Sequence, residues 1–168
     1  NEYMMSPKDL CTINFLDQIV YAGVKVLKLE GRGRAPEYVA TVTKCYREAI
    51  DSIADGTYSQ EKVADWMSRL ETVYNRGFWS GYYLGQKLGE WSPNSGSNAT
   101  QKKVYIGRGT HYYPKTSIAE FLIEAFDLNV GDKVLIQGPT TGSQEMVVES
   151  MMVEDKGDSQ KATKSDVV

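Results

Sequence analysis

Three charged side chains alternate with small residues at Glu30, Arg32 and Arg34. They follow a short, β-branched apolar run at residues 24–29, which is typical of a buried parallel strand. Because α/β barrels place their reactive groups at such strand ends, we predict Glu30 and Arg32 as catalytic residues and Arg34 as a substrate-binding residue. Two arginines just before a helix suit a carboxylate or a phosphate. A surface salt bridge that closes the loop is the alternative.

Cys11 is the second candidate for chemistry. We predict it near the first turn of a helix, where the dipole lowers the pKa of a thiol, so it could be a metal ligand or a nucleophile. A packed, inert thiol is the alternative. Cys45 is the only other cysteine, and without a CxxC spacing the chain cannot build a four-cysteine cluster by itself. We therefore expect no cofactor in this chain alone.

Two further groups of residues could bind a substrate. Asn75 and Arg76 lie in a loop rich in glycine and aromatic residues, which either walls a pocket or covers the end of a barrel. Tyr112 and Tyr113 follow the single histidine, His111. This aromatic and basic patch could stack on bases or on a peptide, and an ordinary strand surface is the alternative.

Composition excludes several classes of protein. A net charge of -3 argues against nucleic-acid binding driven by total charge. No run approaches the roughly 18 apolar residues of a membrane span, so we expect no membrane partner. Two cysteines do not make a disulfide scaffold, and we predict a reducing, cytoplasmic location.

The first half of the sequence reads as helix, strand, helix, which is the repeating unit of an α/β fold. Ser6 and Pro7 predict the start of a first helix, which Gly23 ends. A second helix has Pro36 in its first turn, and a third is capped by Ser59 and runs to about residue 73. The strand at 24–29 needs neighbours that we do not find elsewhere in the sequence.

The second half changes period. A polar linker is predicted at residues 92–100. Strands are predicted at 104–107, 118–124, 133–137 and 146–153, which together indicate a small β-barrel. The tail at 166–168 looks like the opening of a further strand. We therefore divide the chain into a barrel-derived domain (1–91), the linker (92–100) and a β-barrel domain (101–168) that is incomplete at its C-terminus.

An ordered set of short motifs resembles the collagenase-like peptidase family U32. The motifs are SPKDL (6–10), KLEGR (28–32), PEYV (36–39), YR (46–47), NRGF (75–78), VGDK (130–133), GPTTG (138–142) and ESM (149–151). The resemblance implies the C-terminal remnant of a (β/α) TIM-like barrel, followed by a small barrel similar to the second domain of elongation factor Tu. It also implies truncation at both ends, with missing barrel segments or another family protein completing the fold.

The resemblance implies two kinds of activity. Some members are described as proteases or collagenases, and others resemble enzymes that hydroxylate a pyrimidine in RNA, with prephenate needed in some bacteria. Several members carry an iron–sulfur cluster, to which Cys11 would contribute one ligand in the full-length protein. Glu30 and Arg32 match the family's strand-end motif, and Arg34 lies in the same loop.

Three hypotheses about function follow. The first is a fragment of a prephenate-dependent enzyme for 5-hydroxylation of tRNA uridine, with tRNA as partner and no activity in the fragment alone. The second is a peptidase acting on proteins or peptides, which the sequence favours less because no histidine or zinc motif lies near the α/β loops. The third is a non-catalytic module that binds RNA or a partner through Tyr112 and Tyr113.

Overall fold

A computed structural model describes residues 7–168 of the chain. These residues form helices together with small β-sheets, which confirms the mixed class predicted from sequence. The chain divides into two compact units, with the boundary between Lys102 and Lys103. Each unit has a hydrophobic core whose members come from that unit alone.

The three α-helices found within residues 7–168 all lie in the first unit: α1 (Leu16–Tyr21), α2 (Pro36–Ala54) and α3 (Gln60–Thr72). Pro36 occupies the first turn of α2, where its missing N–H costs nothing. The Ser59 side chain caps α3 by accepting from the backbone N–H of Lys62 at 3.3 Å. Both helix starts are as predicted. None of the helices within residues 7–168 combines the length and apolar character that a membrane crossing requires.

The predicted start of the first helix is wrong. Ser6 lies outside the described residues, and Asp9–Leu10 form a short strand, β1, that pairs in parallel with β2 (Phe78–Trp79). A 3-10 turn (Ile13–Phe15) then leads into α1. The reason is tertiary: the N–H groups of Asp9 and Cys11 donate to the carbonyls of Gly77 and Trp79, nearly 70 residues away along the chain, which no local pattern reveals.

The predicted strand at residues 24–29 is also wrong. These residues form no strand, and Val26 is 82% exposed. Leu27 alone in this stretch packs against the core. The sheet of the first unit consists of β1 and β2, which pair directly with each other. An apolar, β-branched run therefore has the composition of a strand here without the hydrogen-bonded neighbour that makes one.

The core of the first unit lies between α2, α3 and the segment around α1. Its buried members are Cys11, Ile13, Leu16, Cys45, Ala49, Ile53, Val63, Trp66 and Leu70. Residues 92–100, predicted as a linker, pack on this unit. The N–H of Asn98 donates to the Asn75 carbonyl at 2.7 Å, and that of Thr100 donates to the Glu71 carbonyl at 2.9 Å.

The second unit is built from antiparallel pairs. The strands are β3 (Gly107–Tyr113), β4 (Ile118–Ile123), β5 (Leu128–Asn129), β6 (Lys133–Gly138), β7 (Gly142–Val147), β8 (Met152–Val153), β9 (Gly157–Asp158) and β10 (Lys161–Ala162). The pairs are β3 with β4, β6 with β7, β8 with β9, and β5 with β10. The predicted strands at 118–124 and 133–137 are confirmed. The one at 104–107 instead begins at Gly107, and the one at 146–153 is split between β7 and β8.

The tail of the second unit pairs with β4, as the strand-like composition of residues 166–168 suggests. Val168 exchanges backbone hydrogen bonds with Phe121 at 2.8 and 2.9 Å, and the N–H of Ile123 donates to the Asp166 carbonyl at 2.9 Å. The core beneath these strands contains Ile123, Leu128, Val153 and Ala162. The tail therefore pairs with β4 along one edge of this strand.

Candidate functional site

Asp9 holds two arginine side chains that are far from it in sequence. Its Oδ1 lies 3.1 Å from Arg76 Nη2 and 3.7 Å from Arg34 Nη2. Its Oδ2 accepts the backbone N–H of Arg76 at 2.8 Å. The three side chains are only 18–29% exposed, so solvent screens this group less than a surface salt bridge.

Local structure explains why these residues meet. Asp9 lies in β1, Arg76 directly precedes β2, and the parallel pairing of the two strands brings their chains side by side. Arg34 lies two residues before α2, and Tyr38 in the first turn of this helix lies beside it. The arginines therefore come from two different loops, and the carboxylate from a strand fixes both.

Two tyrosines complete the surroundings of Arg34. Its guanidinium carbon lies 3.8 Å from the ring centroid of Tyr74 and 5.5 Å from that of Tyr38. A planar cation at these distances is attracted to the ring face. Burial raises the pKa of Tyr38, and the Asp9 charge raises it further, although Arg34 partly opposes both effects. Tyr38 therefore stays a neutral phenol at physiological pH.

A small cavity of about 40 Å³ adjoins this cluster. Asp9, Tyr38 and Tyr74 line it, together with Cys11 and Tyr46. Burial raises the pKa of the Tyr46 hydroxyl, which accepts the N–H of Thr12 at 3.0 Å. The lining is thus mostly apolar and aromatic, and the Asp9 carboxylate is its one charged side chain among the described residues.

Cys11 does not have the environment predicted for it. It follows β1 instead of lying in an α-helix, it is 5% exposed, and burial raises the pKa of its thiol. Its Sγ lies 3.8 Å from Met67 Sδ and 3.9 Å from the Tyr46 hydroxyl oxygen. Neither neighbour is a base, so the thiol is held in its protonated, weakly nucleophilic form.

An iron–sulfur cluster does not fit the residues of this chain. The described residues include no group of three or more His, Cys, Asp or Glu side chains placed to hold a metal ion. Cys45 is fully buried, with Sγ 3.9 Å from the Trp66 carbonyl oxygen. Two cysteines that both belong to the hydrophobic core leave the cluster's remaining ligands unaccounted for.

Glu30 and Arg32 lie outside the Asp9 cluster in their observed contacts. The carboxylate of Glu30 accepts the backbone N–H of Arg32 at 2.9 Å, and both residues are exposed. This contact shapes the loop that precedes Arg34. The catalytic role predicted for the pair stays a prediction.

Asn75 is a buried residue that fixes the turn before β2. It is 3% exposed, its side chain donates to the Val73 carbonyl at 3.0 Å, and it accepts the N–H of Gly77 at 3.1 Å. Gly77 has a φ of +81°, which explains the glycine in this turn. These contacts give Asn75 a part in placing its neighbour Arg76.

Tyr112 and Tyr113 are adjacent in β3 and therefore point to opposite faces of the β3–β4 hairpin. Tyr113 packs edge-on against His111, with ring centroids 4.3 Å apart, and its hydroxyl donates to Glu120 at 3.2 Å. Both tyrosines are about half exposed. Each face of the hairpin thus offers one tyrosine, and the two rings do not form a single stacking platform.

The sequence reasoning missed three members of the site: Asp9, Tyr38 and Tyr74. The pattern Ser6–Pro7 places Asp9 in the first turn of the predicted first helix, and the structure places it in β1. A usable signal was present, since Asp9 and Arg76 lie in two of the short motifs quoted above. Arg34 and Arg76 were singled out separately, and the structure brings them together.

Comparisons with known proteins agree with these motifs. A sequence profile of peptidase family U32 matches residues 1–93. A protein named collagenase from Porphyromonas gingivalis strain W83 is 52% identical over 92% of this chain and 37% of its own length. The chain therefore belongs to peptidase family U32.

Other relatives carry different names. An uncharacterized protease of Methanocaldococcus jannaschii is 40% identical over 92% of this chain and 38% of its own length. The tRNA hydroxylation protein P2 of Bacillus subtilis is 38% identical over 51% of this chain and 29% of its own length. The chain spans about two fifths of the length of the first two relatives. No solved structure matches it significantly.

Proposed function

We propose that this chain is part of an RNA-modifying enzyme of the family, which hydroxylates uridine in tRNA. The observation that carries the proposal is the Asp9–Arg34–Arg76 cluster beside an aromatic cavity. Such a group can hold an anionic substrate in place and stack against a planar ring. Four further relatives are also named tRNA hydroxylation proteins, which supports the same function.

The chemistry of the first unit favours this function over hydrolysis. A hydrolase needs a nucleophile or an activated water with a base in reach. The single histidine of the sequence, His111, lies on an exposed strand of the second unit. Cys11 is buried with a raised thiol pKa. Within the first unit, the two side chains that contact the thiol, Met67 and Tyr46, offer it no base.

The finer fold is part of the same proposal. We take the first unit as a portion of a TIM-like barrel and the second as an elongation-factor-like β-barrel. The parallel pairing of β1 with β2, with helices in the connection, supports the first assignment. The run of short antiparallel strands supports the second. Other barrel segments would complete the catalytic domain, with tRNA as the partner.

Mass spectrometry of tRNA nucleosides tests the function. A strain that lacks the full-length gene should lose a uridine species heavier by one oxygen, and the wild-type gene should restore it. We expect the Arg34→Gln and Arg76→Gln genes to restore it poorly, whereas Arg47→Gln, on the exposed face of α2, restores it fully. Unchanged tRNA in the deletion strain would refute the proposal.

A peptidase is the second candidate, favoured by the 52% identity to a protein named collagenase. It requires that purified full-length protein cleave gelatin or peptides, and that Cys11→Ala or chelation abolish the cleavage. The contacts of Cys11 with Met67 and Tyr46 make this the weaker candidate. Cleavage that survives both treatments would eliminate the thiol- or metal-dependent mechanism.

A further inference from the structure

Two guanidinium groups share one carboxylate in the cluster. Among the described residues, Asp9 is the acidic side chain that pairs with both Arg34 and Arg76. One negative charge offsets one of the two positive charges, so the group keeps an excess of one positive charge. The side chains are 18–29% exposed, so the excess charge is partly shielded from water and still accessible to a ligand.

Arg76 also has a buried donor without an acceptor. Its Nε is excluded from solvent and has no hydrogen-bond partner within the part of the chain that the structure describes. Its Nη2 and backbone N–H are both used by Asp9. Buried N–H groups of charged side chains are normally satisfied, because leaving one unpaired is costly. Because water does not reach this atom, an acceptor from a bound molecule satisfies it only after a small shift of the Arg76 side chain.

Arg34 is oriented without exhausting its donors. Tyr74 contacts the face of its guanidinium, at 3.8 Å from the ring centroid, and stacking of this kind leaves the in-plane N–H groups for acceptors. The contact with Asp9 involves Nη2 at 3.7 Å, which is longer than a hydrogen bond. A hydrogen bond with the Tyr38 side chain uses part of the fork, so Arg34 is fixed in direction and keeps its other N–H groups for an acceptor.

We infer that Arg34 and Arg76 form a binding site for an oxyanion, either a carboxylate or a phosphate group. The inference names the ligand class of the site described above and rests on the proposed function. A small shift of the Arg76 side chain uncovers Nε, and the anion then accepts from Nε and from in-plane N–H groups of Arg34, while Asp9 holds both arginines. The adjoining cavity of about 40 Å³ exceeds the roughly 10–15 Å³ that one water needs. It is lined by Asp9, Tyr38 and Tyr74 and by neither arginine, so it gives room only for a small uncharged part of the ligand.

Isothermal titration of the chain with potassium phosphate and with sodium acetate, at fixed ionic strength, tests the site. We expect saturable binding of at least one anion. Arg76→Lys keeps the charge but removes the Nε donor and the planar fork, so it should weaken binding roughly tenfold or more. Arg47→Lys is the matched control on exposed α2, where the arginine pairs with Asp51, and it should bind as the wild type does.

The two anions distinguish the source of the group. Tighter acetate binding indicates a carboxylic acid, and tighter phosphate binding indicates a phosphate ester such as a nucleic-acid backbone. If circular dichroism shows that Arg76→Lys is misfolded, Arg34→Lys takes its place with the same expected loss. No saturable binding to the wild type, or equal binding by folded Arg76→Lys or Arg34→Lys, would overturn the inference. Because the titration contains no RNA, this failure is separate from unchanged tRNA in the deletion strain.

Discussion

At the scale of single residues, Asp9 is the group on which the cluster depends. It accepts the backbone N–H of Arg76 at 2.8 Å and contacts both guanidinium groups. Removing its charge leaves two half-buried cations facing each other without a counterion. A hydrogen bond to a charged group is worth more than one between neutral groups, and like charges repel more strongly where water is excluded.

We expect Asp9→Asn to lower the free energy of unfolding of the first unit by about 1–3 kcal/mol. Urea denaturation followed by tryptophan fluorescence measures it. Asp51→Asn is the control, because Asp51 forms an exposed pair with Arg47 within α2 and should cost less than about 0.5 kcal/mol. Equal losses for the two variants would show that Asp9 does not hold the arginines.

The buried thiol of Cys45 makes the stability of the first unit depend on pH. Burial raises the pKa of its thiol to about 11, from an ordinary value of 9.0. Below about pH 9 the thiol is protonated in both folded and unfolded chains. As the pH rises from 9 towards 11, the unfolded chain loses this proton first, so the folded state loses about 1.4 kcal/mol per unit from this group.

Cys45→Ala removes this ionisation and supplies the test. We expect the wild type to lose stability more steeply than the variant between pH 9 and 11, measured by urea denaturation at several pH values. The tyrosines whose pKa burial raises, Tyr46 and Tyr58, remain in both proteins, so the difference in slope belongs to the thiol. Parallel slopes would contradict the assignment.

At the scale of elements, the β3–β4 hairpin depends on a close backbone approach at Gly107. A Cβ atom there would lie 2.0 Å from the carbonyl oxygen of Leu122 on the facing strand. Side chains never approach a backbone atom so closely, so the strands would have to separate. At Gly109, in the same strand, the nearest atom would be a Phe121 ring carbon at 3.5 Å, an ordinary contact.

We expect Gly107→Ala to destabilise the second unit by about 1–3 kcal/mol and to expose the amides of β4 to exchange. Gly109→Ala, which adds the same methyl group two residues away, should leave protection of β4 close to wild type. Hydrogen exchange monitored by NMR measures both. If the two variants behave alike, the strands do not approach as closely as described.

The elements also show where sequence patterns succeed and fail. The starts of α2 and α3 were predictable because Pro36 and Ser59 act on their own first turns. Residues 24–29 have the composition of a strand, yet a strand exists only where another chain segment supplies hydrogen bonds. The site followed the same rule: Arg34 and Arg76 were found as separate candidates, whereas Asp9, which joins them, was not.

At the scale of the whole molecule, the two units have separate cores, and one spectroscopic signal follows the unfolding of the first unit alone. The three tryptophans, Trp66, Trp79 and Trp91, all lie in the first unit. Leu16 is fully buried in the first core, and Ile123 is 1% exposed in the second. Tryptophan fluorescence therefore reports on the first unit, while far-UV circular dichroism reports on both.

We expect Leu16→Ala to lower the free energy of unfolding of the first unit by about 2–5 kcal/mol. The fluorescence midpoint then shifts to a lower urea concentration. Ile123→Ala should lower the free energy of unfolding of the second unit by a similar amount, measured by circular dichroism. It should leave the fluorescence midpoint unchanged. A fluorescence shift in Ile123→Ala as large as that in Leu16→Ala would mean that the two cores unfold as one.

The amino-acid sequence by itself determined the mixed α and β class, the starts of α2 and α3, two of the strands and the family, because each depends on neighbours within a few residues or on motifs in order. Only the tertiary structure decided that β1 pairs with β2, that residues 24–29 form no strand, and that Asp9 joins Arg34 to Arg76. These features depend on hydrogen bonds and ion pairs between segments far apart along the chain. Their partners are selected by packing of the whole unit, which no local spacing encodes.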